Sequence, residues 1–254
     1  MRNVDKNRLS LMIVLGLAIF LMVQLINGNI SYYIHQRFNG LVVFAVVVLP
    51  LVVAARIWLK DTDEHSHEPG DEHSHAQHED HQHGAPSTAE LVLLLIPLLI
   101  GILIPARPLT SAAFDAREIN LSAPVSAVSQ PIYFDLEFKA DEYSILDWLR
   151  LFGQEEHSSL VGEEASIIGF IYHDDNLAAG QVMVGRFVVT CCSADAFPVG
   201  MIVELPPGVD YADDTWVKIQ GNIAQISYNG SLLPLIQNSQ VEEIEPPRQP
   251  YLFP

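Results

Sequence analysis

The sequence predicts a membrane protein in which three α-helical transmembrane spans carry an exported, mainly β domain, folded as an OB-like five-stranded barrel. Three observations lead to this fold class. Long apolar runs are confined to the first 106 residues, short alternating segments follow them, and charge is strongly segregated along the chain. Residues 1–60 hold six Lys/Arg against one acid, whereas residues 107–254 hold 21 acids against seven Lys/Arg. We therefore expect an anchor followed by an acidic domain.

The first 60 residues predict a transmembrane helical hairpin. Leu9 to Ile26 is apolar except for Ser10 and Gln24. This run is close to the length of about 20 residues that a helix needs to cross a bilayer core. A cleaved signal peptide is the alternative, but the run is long for one and Asn27-Gly28-Asn29 is a poor cleavage site. The second span runs from Leu41 to Leu59 and contains Pro50, which membrane helices tolerate.

A third, shorter span is expected over residues 89–106. Ser87 and Glu90 have the spacing of a capping box, which marks a helix start, and Pro105 and Pro108 bracket the end. A buried core helix is the alternative, and the 14 consecutive residues without a polar side chain from Leu91 argue against it.

Basic residues near the span ends predict the orientation. One set comprises Arg2, Lys6, Arg8, Arg56 and Lys60, and the opposite set comprises Arg37, Arg107 and Arg117. The positive-inside rule places the larger set in the cytoplasm. We therefore expect a cytoplasmic amino terminus, a cytoplasmic loop over residues 61–88 and an extracytoplasmic domain after residue 107.

The 61–88 loop is acidic and rich in histidine. Seven of the ten histidines fall here: His65, His67, His73, His75, His78, His81 and His83. Imidazole is the commonest ligand for zinc and related divalent metals, and neighbouring carboxylates can supplement it. Without apolar residues to form a core, the tract predicts several weak zinc-like sites rather than one defined site. A polar spacer and a pH sensor are the alternatives.

The chain after residue 107 predicts a linker and a strand–helix preface to residue 159, then the barrel and a carboxyl-terminal tail over 160–254. The preface comprises a strand at 131–138 and a helix at 143–152 that Gly153 would end. Five further strands are expected at 165–172, 185–192, 199–205, 215–226 and 233–244. Their spacing suits an OB-like barrel, with mid-strand Gly169 and Gly221 at sharp bends and Phe187 and Trp216 buried; a sandwich is the alternative.

The segment from Arg186 to Ala196 concentrates side chains that can bind a metal, react or form ion pairs. If the strand stays regular, Cys191 and Cys192 face opposite sides, one toward the core. Two core-filling thiols, a soft-metal site with Asp195 and a remote His173, and a strained redox pair all remain open. Arg186 is expected to pair with Asp195 across the turn. No catalytic residues are predicted, because no nucleophile elbow, phosphate loop or C-x-x-C occurs.

Several motifs resemble an uncharacterised bacterial family. They are Gly169-Phe-Ile, Arg186-Phe-Val-Val-Thr-Cys-Cys-Ser-Ala-Asp-Ala196, Trp216-Val-Lys-Ile-Gln-Gly221 and Pro246 through Tyr251. The family is DUF1980, also called UPF0703, and the resemblance covers the whole chain. It implies a bacterial plasma-membrane protein that is one subunit of a two-component permease, with a multi-spanning DUF318-type permease as its partner. It implies no catalytic residues, and the histidine tract is not part of its pattern.

Three functions are therefore weighed. The first is an accessory permease subunit whose outer domain binds the partner or a solute. The second is a protein that handles zinc or another divalent metal through the histidine tract, and the third is a thiol-based envelope redox sensor. An enzyme is not expected. Membrane lipid is an expected partner and nucleic acid is not, because phosphate binding needs clustered basic residues that this acidic chain lacks.

Overall fold

The computed structural model describes residues 2–63, 86–115, 143–154, 160–228 and 230–254. The chain forms two compact units. The helical unit comprises Met1–Ile30 and Arg37–Ala106, and the sheet unit comprises Ser31–Gln36 and Arg107–Pro254. The predicted strand at 131–138 and the whole histidine tract lie outside the described residues.

The described part of the helical unit contains three long helices. They are α1 (Arg2–Ile26), α2 (Asn39–Asp63), with Pro50 inside it, and α3 (Thr88–Leu103). Two stretches are long and apolar enough to cross a membrane, Lys6–Ile26 and Gln36–Leu59, whereas α3 is apolar but shorter. The predicted capping box at the start of α3 is confirmed, since Ser87 and Glu90 each accept the other's backbone N–H. The large apolar side chains of the three helices are mostly exposed, as expected of surfaces that contact lipid.

Helices α1 and α3 pack side by side in the same direction. Lys6 Nζ donates a hydrogen bond to Thr88 Oγ1 at 3.2 Å near their starts. Further along, a Cβ added to Gly101 would lie 2.5 Å from the Phe20 ring. Small residues allow such close approach between membrane helices. The two helices are therefore parallel neighbours over most of the length of α3.

In its described residues, the sheet unit contains two short α-helices and six strands. The helices are α4 (Ser111–Asp115) and α5 (Ile145–Gln154). The strands are β1 (Glu164–Tyr172), β2 (Gln181–Val188), β3 (Phe197–Glu204), β4 (Trp216–Tyr228), β5 (Ser231–Glu243) and β6 (Tyr251–Leu252). Their order in the sheet is β1-β4-β5-β3-β2-β6, with an additional antiparallel pairing of β1 with β2. The pairings of β1 to β5 consequently run in a closed circuit, in which β3 and β5 are parallel.

All five predicted strands are present, with displaced ends. The largest displacement is in β2, which starts four residues earlier and ends four residues earlier than predicted. The short parallel strand β6 was not predicted. Helix α5 matches the predicted helix, but Gly153 lies inside it rather than ending it, since the helix continues to Gln154.

The two larger apolar clusters of the described residues support the sheet. The larger one combines inward-facing strand residues with α5, including Trp148 and Phe152. The second is aromatic and contains Phe114, Phe170, Phe187 and Trp216. Phe187 and Trp216 are 1% and 6% exposed, so their predicted burial is confirmed. At Gly221 the register of β4 against β5 shifts between Gln220 and Asn222, in line with the bend predicted there.

Candidate metal and thiol site

The candidate site is the connection between β2 and β3. Strand β2 ends at Val188, which pairs with Phe197 at the start of β3. Between them the chain leaves the ladder and forms a 3-10 turn over Ser193–Asp195. The cysteines and Asp195 therefore lie on a hairpin loop, where polar side chains can project from a rigid sheet.

Asp195 organises this loop through its carboxylate. Oδ2 accepts the N–H of Cys191 at 2.8 Å, and Oδ1 accepts those of Thr190 at 3.2 Å and Cys192 at 3.3 Å. Partial burial raises the pKa of Asp195, but hydrogen bonds from the Cys191 thiol and from these amides outweigh it, so the pKa is lowered overall. Asp195 is thus held as a carboxylate beside both cysteines.

The two thiols lie on the same side of the loop. Their Sγ atoms are 3.7 Å apart, and a ligand atom of each cysteine and of Asp195 lies within 4.8 Å of the others. The pKa of Cys191 is raised to about 11, first because its thiol hydrogen-bonds the Asp195 carboxylate and then because it hydrogen-bonds Cys192. Cys191 is exposed and Cys192 is half-buried.

Residues 31–36 pair with this loop from the other side. Ser193 N–H donates to Tyr33 O at 2.8 Å and His35 N–H donates to Cys191 O at 3.0 Å, so that Ile34 and Cys192 form an antiparallel bridge. These residues join α1 to α2 along the chain, yet they belong to the sheet unit. Little in the sequence signals this pairing, because it joins Ile34 to Cys192, which are far apart along the chain.

The carboxyl-terminal tail completes the surroundings. Tyr251 Oη donates to Tyr32 O at 3.2 Å, and the rings of His35 and Phe253 lie 3.9 Å apart. Arg186 Nε and Nη2 donate to Pro250 O and Gln249 O at 3.0 and 2.7 Å. The tail and residues 31–36 therefore form one support for the cysteine loop. The Pro246-to-Tyr251 motif was the only sequence signal for the tail's part in it.

The prediction of an ion pair between Arg186 and Asp195 was wrong. Both residues lie in the described part of the chain, and there Arg186 binds tail carbonyls while Asp195 binds loop amides. The Arg186 guanidinium also lies over the Trp216 ring, 5.8 Å from its centroid, and burial lowers its pKa to about 10. Arg186 anchors the tail rather than the turn.

The alternation predicted for the cysteines was also wrong. The strand ends three residues before Cys191, so the period of two no longer applies and neither thiol enters the core. The interpretation as two core-filling residues fails for the same reason. Of the proposed ligands, Cys191, Cys192 and Asp195 come together, whereas His173 belongs to a different cluster.

His173 lies between two aspartates on another loop. Its Nδ1 is 2.8 Å from Asp213 Oδ1 and its Nε2 is 3.4 Å from Asp210 Oδ1. The hydrogen bond with Asp213 raises the pKa of His173, and partial burial opposes this. The histidines predicted as metal ligands, from His65 to His83, lie outside the described residues, so their metal binding stays a prediction.

Two models of one protein family match most of the chain. The DUF1980 N-terminal domain model matches residues 9–120, and the DUF1980 C-terminal domain model matches residues 134–254. The chain is similar to UPF0703 protein YcgQ of Bacillus subtilis, with 29% identity over 279 residues that cover 96% of this chain and 98% of the relative. It is also similar to a Streptococcus mutans protein named "Putative two-component membrane permease complex subunit". There the identity is 23% over 270 residues, covering 90% of this chain and 92% of the relative.

Proposed function

Because the chain belongs to the DUF1980 family, we propose that it is an accessory subunit of a two-component permease complex in a bacterial plasma membrane. The name of the Streptococcus mutans relative supports the proposal of a two-component complex. The partner supplies the solute pathway and, by the family resemblance, is a multi-spanning DUF318-type permease. The sheet unit of this chain binds that partner or the solute.

One observation carries the proposal: the membrane helices have apolar surfaces and lack a polar pathway. The apolar run in α1 is interrupted only by Ser10 and Gln24, and α3 carries no polar side chain after Glu90. A pathway for a polar solute needs polar or ionisable residues facing a bundle interior. These helices serve as an anchor and as a surface for other helices, so transport requires a second protein.

We infer three spans rather than two. Helix α3 has 16 residues and is about 24 Å long, shorter than a hydrocarbon core of about 30 Å. It nevertheless lies parallel to α1, from the level of Lys6 to the level of Phe20. If α1 crosses the bilayer, its parallel neighbour crosses in the same direction, and a modest thinning of the bilayer accommodates the shorter helix.

The sheet unit supports the same topology. Residues 31–36 belong to it, so the connection between α1 and α2 lies on the membrane face that carries the sheet. Helix α2 then takes the chain to the opposite face, and α3 must return it before residue 107. Together with the excess of basic residues at the start of α1 and the end of α2, this favours a cytoplasmic amino terminus and an extracytoplasmic sheet unit.

We also infer that strands β1 to β5 form an OB-like barrel. The circuit of pairings β1–β2–β3–β5–β4–β1, closed by a parallel β3–β5 pair, supports it. Two separately packed sheets would lack the pairings that join the strands at both edges. The strand β6 is an addition outside this circuit, on β2.

Affinity purification tests the complex. The tagged full chain is cross-linked in cells, extracted in mild detergent, and its bound proteins are identified by mass spectrometry. We expect a multi-spanning permease in roughly equal amount. The matched control keeps residues 1–106 and replaces the sheet unit with an unrelated exported domain, which shows whether the sheet unit is needed. Recovery of the intact chain without any multi-spanning protein, with or without cross-linking, contradicts the proposal.

Cysteine labelling tests the topology. In a Cys191→Ser/Cys192→Ser background, single reporters Ser66→Cys and Asp175→Cys are exposed to a membrane-impermeant maleimide in intact cells. We expect labelling at 175 only, with labelling at 66 appearing after permeabilisation. Labelling of Ser66→Cys in intact cells refutes this orientation.

A further inference from the structure

We propose that Cys191, Cys192 and Asp195 bind one thiophilic metal cation of the zinc class, with a fourth coordination position open. The proposal goes beyond the permease assignment and does not depend on it. It is also distinct from metal binding by the histidine tract, because its ligands are two sulfurs and one carboxylate oxygen on the β2–β3 loop.

The separation of the ligand atoms fits a tetrahedral ion. Zinc–sulfur bonds of about 2.3 Å at the tetrahedral angle place two sulfurs about 3.8 Å apart, and a zinc–oxygen bond of about 2.1 Å places the oxygen about 3.6 Å from each sulfur. The two Sγ atoms are 3.7 Å apart, and the carboxylate lies within 4.8 Å of both. A disulfide, by contrast, needs a sulfur–sulfur distance of about 2.05 Å. The loop therefore presents its thiols at a chelating distance rather than a bonding one.

The fold holds these atoms in place. Three loop amides fix the Asp195 carboxylate, and Oδ2, which accepts only the Cys191 N–H among them, keeps a lone pair for a cation. The main chain at Cys191 and Ser193 is fixed by His35 and Tyr33. Such surrounding hydrogen bonds orient metal ligands and strengthen binding. Little conformational entropy would then be lost when an ion binds.

The exposure of the site indicates an exchangeable ion. Closed structural zinc sites use four protein ligands, whereas sites with three keep a position for water or another molecule. Cys191 is exposed, so a fourth ligand can approach from solvent or from another protein. Thiolates select zinc, cadmium or copper(I) over magnesium and calcium. The 21 acids against seven basic residues of this region favour cations near it.

Cadmium titration of the full chain tests the proposal. The detergent-solubilised protein is reduced, stripped with chelator and titrated with Cd²⁺, while ultraviolet absorbance reports cadmium–thiolate charge transfer. Histidine gives no such band, so cadmium bound to the histidine tract does not contribute to the signal. We expect one thiolate-bound cadmium per chain, displaced competitively by zinc. Cys191→Ser and Cys192→Ser should each abolish most of the band, and Asp195→Asn should weaken affinity at least tenfold.

A neighbouring variant serves as the matched control. Thr190→Ala keeps the backbone N–H that binds Asp195 and removes no ligand, so it should bind cadmium like the parent chain. Circular dichroism confirms that each variant is folded. No thiolate band at saturating cadmium overturns the proposal, and so does a band that survives loss of both cysteines. Half an equivalent of cadmium per chain also overturns it, because the ion would then bridge two molecules.

Discussion

Arg186 is a largely buried cation whose partners are main-chain carbonyls instead of a carboxylate. It binds Gln249 and Pro250 next to β6, which pairs with β2 through Phe187 and Val188. A buried charge is stabilised only when its donors are satisfied. Arg186 thus couples the second strand to the carboxyl terminus, and this explains an arginine in a strand that is otherwise apolar after Gln181.

We expect Arg186→Met to release the tail. Hydrogen bonds to charged groups contribute about 1.5–3 kcal/mol each, and methionine avoids burying a charge, so a net loss of about 1–3 kcal/mol is expected. The amide of Val189, which donates to Leu252 O, should exchange with deuterium faster. Arg248→Met, at an exposed arginine of the same tail, is the control and should exchange like the parent. Unchanged protection at Val189 in Arg186→Met would count against the anchoring role.

His173 makes stability depend on pH. Its folded-state pKa is raised above the ordinary 6.5, so its contribution is fully present below pH 6.5 and is lost as pH rises through the folded value. The side chain is 44% exposed, so the effect should stay below about 1 kcal/mol. The melting temperature of His173→Gln should therefore fall below that of the parent chain at pH 5.5 and approach it at pH 8.5.

A double variant tests whether the two aspartates cause this dependence. Asp210→Asn/Asp213→Asn removes both partners of His173, and the further change His173→Gln should then have the same effect at both pH values. If the gap between parent and His173→Gln widens toward pH 8.5, the protonated histidine does not stabilise the fold.

At the scale of single elements, strand β2 depends on one glycine. A Cβ at Gly185 would lie 2.3 Å from Cζ of Phe114, a fully buried ring that also contacts Phe170 and Phe187. Forcing a methyl group into a packed core costs about 1–3 kcal/mol. We expect Gly185→Ala to lower the unfolding free energy by that amount, measured in denaturant titrations.

The double-mutant cycle identifies the cause. Phe114→Leu leaves room for the added methyl group, so Gly185→Ala should cost less in that background than alone. Strictly additive losses would show that the strain lies in the backbone of β1 and β2 instead of the Phe114 ring. Comparing the variants by near-ultraviolet circular dichroism checks that the aromatic cluster stays packed.

Local pattern predicted the strands but not their ends. Alternation and turn residues are properties of neighbouring residues, and all five strands followed from them. Strand β2 ends at Val188 because the backbone N–H groups of residues 190–192 donate to the Asp195 carboxylate instead of to a neighbouring strand. The alternation of apolar and polar residues does not reveal this. Strand β6 has only two residues, and its pairing depends on a tail that returns over 60 positions later.

The candidate site shows the same division. The sequence brought Cys191, Cys192 and Asp195 together because they lie within five positions of one another. Sequence pattern predicted the wrong partner for Arg186 and did not predict the pairing of residues 31–36 with the cysteine loop. The contacts of Arg186 with the tail and of residues 31–36 with the loop both join distant parts of the chain. Ligand sets formed by one loop can be predicted from spacing, whereas their surroundings depend on tertiary packing.

At the scale of the whole molecule, the proposed topology rests on residues 31–36 and on the parallel packing of α1 with α3. Neither follows from hydropathy, which detects helices but not their neighbours. With the sheet unit on the face that carries residues 31–36, the proposed topology separates the two candidate metal-binding regions by the membrane. This proposal puts the cysteine loop on one side and the histidine tract, which follows α2 and precedes α3 in the chain, on the other.

That separation makes the histidine tract independently testable. The tract offers seven imidazoles and flanking carboxylates but no large apolar residues to hold them in one arrangement, so we expect several weak zinc sites. Calorimetric titration should show zinc uptake at pH 7.5 that weakens at pH 5.5, because protonated imidazole cannot bind metal. The comparison uses two chains in the Cys191→Ser/Cys192→Ser background: one carries the tract, and the other lacks residues 64–83 but is otherwise identical. Uptake that is equal in both chains rules out the tract as the binding region, and a single sharp one-to-one transition would show one defined site instead of several weak ones. If removal of the tract also changes cellular zinc while the proposed permease complex still assembles, the tract takes part in zinc handling and not in assembly of the complex.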